Sequence, residues 1–90
     1  MNKARRKRIE NVSTKLEELK NLLEEVMEEV GEIKDEEEEY MENMPENMQS
    51  GERYEAAETA YENLESAYDG VEEITSQIDD ILSQLEEAAQ

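Results

Sequence analysis

Cysteine, histidine, tryptophan and phenylalanine are absent from the 90 residues, and proline occurs once. Without cysteine there can be no disulfide and no thiolate metal site. Without histidine the commonest transition-metal ligand and the commonest general base are missing as well. No apolar run approaches the roughly 20 residues that a membrane span needs. The basic start MNKARRKR leads into an amphipathic segment where a secretory leader would need an apolar one. Only 36% of the residues are hydrophobic, too few for a compact globular core. What these absences leave is one small soluble domain, expected in the cytoplasm, built from long helices that share a narrow seam.

Basic residues are scarce too, with 9 against 27 acids and a net charge of −18. They are also unevenly spread. Residues 1–20 hold seven bases and three acids, residues 24–48 twelve acids and one base, and residues 52–90 twelve acids and one base. A field this acidic repels nucleic acid and anionic membrane and attracts basic surfaces on other proteins, so neither direct nucleic-acid binding nor membrane binding is expected.

What is present is heptad periodicity. Residues 60–90 can be written as AYENLES, AYDGVEE, ITSQIDD, ILSQLEE, AAQ without slippage. The seam of this second helix runs Tyr54, Ala57, Tyr61, Leu64, Tyr68, Val71, then Thr75, Ile78, Leu82, Leu85 and Ala89. The phase crosses Asp69-Gly70 unshifted, which argues for one continuous helix.

Upstream, apolar residues run Ile9, Val12, Leu16, Leu19, Leu23, Val26, Val30 and Ile33, then Glu37, Tyr40 and Met44, again in steps of three and four. This predicts a first helix over about 4–43, a connection over about 44–50 around Pro45, and a second helix over about 51–88, with Ser50 as its N-cap. Gly31 falls on the outer face in this phase.

Two near-equal helices joined by a short loop fold back on each other, so the expected fold is all-α, an antiparallel coiled-coil hairpin. One register pairs Ile9 with Leu85, Leu23 with Val71, Val26 with Tyr68 and Tyr40 with Tyr54. It lays the basic start beside Glu86 and Glu87 and sets Lys20 and Lys34 near the acidic column Glu65, Glu72 and Asp79. A further apolar column, Ala60, Ala67, Ile74, Ile81 and Ala88, would stay uncovered, with Leu22 and Met27 flanking the first seam. Such surface predicts a homo-oligomeric helical bundle, a dimer in its simplest form.

Three groups of residues could form sites. At the loop end, Glu37 interrupts the seam among Tyr40, Tyr54 and Tyr61, with Arg53 adjacent and Asn47 at the centre of the turn. A carboxylate there needs a partner, either within a network that fixes register or within a pocket for a ligand or protein. The acidic face Glu28, Glu29, Glu32, Glu36, Glu38 and Glu39 is either a solvated helix surface or an imitation of the spaced charge of a nucleic-acid backbone. The basic cluster Lys3, Arg5, Arg6 and Arg8 is either satisfied by neighbouring carboxylates or a site for phosphate, another anion or duplex DNA. No EF-hand spacing, glycine-rich phosphate loop or nucleophile beside a base is present. A non-enzymatic protein without cofactor or metal is expected.

The stretch from Glu42 to Glu58, ENMPENMQSGERYEAAE, resembles a group of small proteins without assigned function encoded by phages and prophages of Gram-positive bacteria. The resemblance implies a mobile-element context, in which small acidic proteins often inhibit host defence. Three readings follow. The chain is a stoichiometric inhibitor whose acidic, DNA-mimic-like surface occupies the basic groove of a host antiviral protein. Alternatively it is an oligomeric sponge that sequesters a nucleotide immune messenger, using Arg53, tyrosines and the basic start of a neighbouring subunit. In the third reading it is a structural coiled-coil adaptor.

Overall fold

A computed structural model describes all 90 residues and is entirely helical. Helix α1 spans Lys3–Glu42, a single 3-10 turn spans Glu46–Met48, and α2 spans Glu52–Ala88. The two long helices pack against each other along a rod of 69 × 15 × 13 Å. The chain is an antiparallel helical hairpin.

Local chemistry accounts for the breaks. Asn2 caps α1, its side-chain oxygen accepting from the Arg5 N–H at 2.8 Å, so one of the free donors of the first turn is satisfied. At the other end Asn43 donates to the Glu39 carbonyl at 3.0 Å, and Pro45, with no N–H of its own, stops further propagation. The connection is closed by Met48 N–H on the Pro45 carbonyl at 2.8 Å and by Gln49 Nε2 on the Met44 carbonyl at 3.2 Å. Helix α2 starts from Gly51 in extended backbone with no side-chain cap, where Ser50 was the expected N-cap. The start is one residue later than a Ser50 cap requires, and Glu52 and Glu55 compensate by placing negative charge in the first turn. Helix α2 runs unbroken through Asp69 and Gly70.

The seam is thin: only Met44, Ala57 and Ile78 are buried, and each keeps some contact with solvent. On α2 the half-buried positions include Tyr54, Tyr61, Leu64, Tyr68, Val71, Thr75, Leu82 and Leu85, the column expected from the heptads. On α1 the expectation needs correction. The residues turned inward are Ile9, Ser13, Leu16, Lys20, Leu23, Met27 and Val30, continuing to Lys34, Glu37, Met41 and Met44. Val12, Leu19, Val26, Ile33 and Tyr40 are left 41% to 48% exposed.

The register moves as well. Tyr68, expected across from Val26, lies instead against Gly31 and beneath Lys34, whose Nζ stands 5.2 Å from the ring centroid. Gly31 and Lys34 lie five and eight residues beyond Val26, a displacement of more than one helical turn at about 3.6 residues per turn. Gly31 therefore faces the partner helix and not the outside. A Cβ there would meet Tyr68 Cε2 at 3.4 Å, an ordinary van der Waals contact, so the ring lies close against the Gly31 backbone.

Candidate functional site

The new phase divides the hairpin into two unlike sides. On one, Glu10 and Glu17 of α1 border the same hollow as Glu86 of α2. Further along, Glu38 and Asp35 stand close enough to Tyr61, with Glu65, to act on its phenol. Burial first, and then these carboxylates, push the Tyr61 pKa above its ordinary value because phenolate would add negative charge to an already negative, partly desolvated place. Lys20 crosses this acidic side to reach Asp79, Nζ to Oδ1 2.7 Å. The hydrogen bond to Asp79, reinforced by the charges of Asp79, Glu24 and Glu17, raises the Lys20 pKa against the opposing effect of burial.

Of the acidic residues Glu28, Glu29, Glu32, Glu36, Glu38 and Glu39, all but the half-buried Glu38 are exposed. None of the six forms an ion pair; in the whole chain only Lys7 with Glu10 and Lys20 with Asp79 do so. Lys34 does not pair with Glu65, Glu72 or Asp79 as expected, because its ammonium sits over Tyr68. No group of carboxylates has the geometry of a metal site.

At the loop end Tyr40, Asn43, Met44, Pro45, Met48 and Arg53 line a shallow hollow of about 220 Å³. The structure thus brings Tyr40 and Arg53 together but not the whole expected constellation. Glu37 is half-buried and has neither an ion pair nor a hydrogen bond, which corrects the expectation that Arg53 or a tyrosine hydroxyl partners it. Tyr40, expected in the seam opposite Tyr54, points outward at 48% exposure. Tyr54 and Tyr61 remain half-buried in the seam, and Asn47 is exposed on the 3-10 turn. Asn43 and Met48 were absent from the expected site; their position on either side of Pro45 was the available signal, because a chain reversal gathers its flanking residues.

The basic start is also less engaged than expected. Lys3, Arg5, Arg6 and Arg8 are exposed, and none pairs with Glu86 or Glu87; Arg6 shares a hollow with Glu86 without forming an ion pair. Arg5 and Arg8 border a second hollow of about 270 Å³ with Met1, Ile9, Val12 and Leu85, a basic rim around an apolar floor. No protein family, curated protein or solved structure matches the chain. No helix is long and apolar enough to cross a membrane.

Proposed function

We propose that the chain is a non-enzymatic binding protein that occupies the basic groove of another protein through its acidic helical surface. The observation that carries this reading is the state of its carboxylates: 27 acidic side chains are present and only Glu10 and Asp79 are neutralised within the chain. From Glu25 to Glu42 of α1 such residues recur every three to four positions, about 5 to 6 Å apart, along one continuous helix. Long-range attraction to a basic groove follows, and so does competition with any nucleic acid that the groove binds. The mobile-element resemblance of the loop stretch directs the target towards host antiviral defence. Self-association of the hairpin is part of the same reading.

A second reading is supported by the loop-end hollow, where Arg53, free of any carboxylate partner, stands beside Tyr40. There the chain would hold a phosphate-bearing nucleotide signal between subunits. Affinity purification from a bacterial host, with protein partners and bound small molecules both identified, separates the two. Recovery of a basic protein at fixed stoichiometry, lost on reversing Glu28, Glu32 and Glu39 and kept in Arg53→Ala, supports inhibition by charge mimicry. A nucleotide released on denaturation, lost in Arg53→Ala and kept in the charge reversal, replaces it with the sponge.

A further inference from the structure

The side of the hairpin opposite the acidic one is apolar on both helices. Helix α1 contributes Val12, Leu19, Val26, Ile33 and Tyr40, each preceding a half-buried seam position by one residue. Helix α2 contributes Ala60, Ala67, Ile74, Ile81 and Ala88, which also precede seam positions by one, with Ile74 47% and Ile81 43% exposed. In antiparallel helices, columns with that relation to the seam lie on the same side. The residues that follow seam positions, Glu10, Glu17 and Glu86, gather on the other. An apolar face therefore runs along most of the rod, in a chain where two residues in five are charged.

The rim of this face is informative. On α2 it consists of Ala56, Asn63, Gly70, Gln77 and Gln84, without a single charge, although α2 is strongly acidic elsewhere. On α1 it consists of Arg8, Lys15, Leu22, Glu29 and Glu36, all exposed and seven residues apart. Seven residues rise about 10.5 Å, so Lys15 and Glu29 stand equally far from Leu22 in opposite directions, as do Arg8 and Glu36 at about twice that distance. The column is its own complement when reversed. The apolar column beside it reverses almost as well, carrying Val12 onto Ile33 and Leu19 onto Val26.

We propose that this face is the interface for a second copy of the chain, related by a two-fold axis that passes Leu22 and lays α1 antiparallel on the partner's α1. The inference rests on the reading that hairpins self-associate and adds which face they use and how it is oriented. Reversal places Arg8 and Lys15 of each protomer against Glu36 and Glu29 of the partner, so opposite charges meet at four points on the rim. The alternative, with both loops at one end, would set the same α1 rim against the uncharged α2 rim and leave those carboxylates unanswered. A face 69 Å by 15 Å offers roughly 1,000 Å² on each copy, against about 800 Å² per partner in a standard stable complex. Only three residues of the single hairpin are buried, so pairing would supply the core that one chain lacks.

Sedimentation at moderate salt tests association, and cross-linking tests orientation. The full chain is expected to sediment as a dimer. The chain has no cysteine, so Leu22→Cys introduces a single thiol, expected to form a disulfide with its own copy on mild oxidation. Lys15→Glu is expected to weaken the dimer by about tenfold, as exposed ion pairs turned repulsive do. The double variant K15E/E29K, whose net charge equals that of the natural chain, is expected to restore it. A monomer at every concentration and salt overturns self-association and this interface together, freeing the face for a different partner. A dimer in which Leu22→Cys fails to bridge itself but bridges a Gln77→Cys chain, with no rescue in K15E/E29K, overturns this two-fold and leaves association standing. Because the substituted positions lie outside the intramolecular seam, circular dichroism of the cross-linked and monomeric fractions checks that the hairpin persists.

Discussion

Lys20 Nζ and Asp79 Oδ1, 2.7 Å apart, form the one ion pair that joins the two helices. It is a register marker more than a source of stability, because both side chains keep substantial contact with water. Asp79→Asn should therefore lower the melting temperature slightly at low salt and hardly at all at high salt. A double-mutant cycle with Lys20→Ala, followed by thermal unfolding at both salts, should give a small coupling that shrinks as salt is added.

Alkaline pH should destabilise the hairpin through two groups acting in the same direction. Lys20 has a folded pKa raised above 10.5, so the stabilisation it gains from Asp79 is fully present below that value and is lost as pH rises through the folded pKa. Tyr61 is raised above 10.0, so the folded state holds its proton more tightly than the unfolded state and loses that advantage over the same upward range. Melting temperature should be insensitive to these groups near neutrality and fall above about pH 10. Tyr61→Phe should flatten part of that fall. A fall unchanged in both Tyr61→Phe and Lys20→Met would show that other groups cause it.

Two glycines inside helices should respond differently to substitution. At Gly70 an added Cβ meets nothing within 4 Å, so Gly70→Ala should gain about 1 kcal/mol from helix propensity alone. At Gly31 the Cβ would stand 3.4 Å from Tyr68 Cε2, so alanine should fit with a smaller gain. Gly31→Val should push the ring aside and lose stability. Urea unfolding of the three variants ranks them.

The buried positions should be costly to change. Ile78 is 5% exposed, and Ile78→Ala should destabilise by about 2 to 4 kcal/mol, enough to unfold much of so thin a seam. Ala57 is 3% exposed, and Ala57→Leu should lose about 1 to 3 kcal/mol by overfilling the loop end. Glu32→Ala, on the outer face, should leave the midpoint of urea unfolding nearly unchanged.

The hairpin and the α2 seam were legible because α2 carries apolar residues in both seam columns, whereas the column beside them is alanine except at Ile74 and Ile81. Helix α1 is ambiguous by one residue. Its columns Ile9, Leu16, Leu23 and Val30 and Val12, Leu19, Val26 and Ile33 are both apolar, and hydrophobicity alone pairs them as a seam. The fold chooses instead the column with Ser13, Lys20 and Lys34, because lysine stems can cover apolar surface while their ammonium groups reach Asp79 or the Tyr68 ring. The Asp79 neighbour of Lys20 was legible in the charge pattern of the two helices, whereas the Tyr68 ring beneath Lys34 was not. At the loop end the same rotation turned Tyr40 outward and left Glu37 without a partner, so the expected cluster was read from the wrong helix phase. The hollow that did form depends on how Pro45 reverses the chain, which residue spacing does not encode.

The hairpin brings Met1 and Leu85 to one hollow and Arg6 and Ala89 to another, so both chain ends emerge together, at the far end of the rod from Pro45. Tension between the termini would not slide one helix past the other. It would separate the seam one layer at a time, beginning at Ile9 and travelling towards the loop, so that each layer resists alone and the rod opens like a zip under small force.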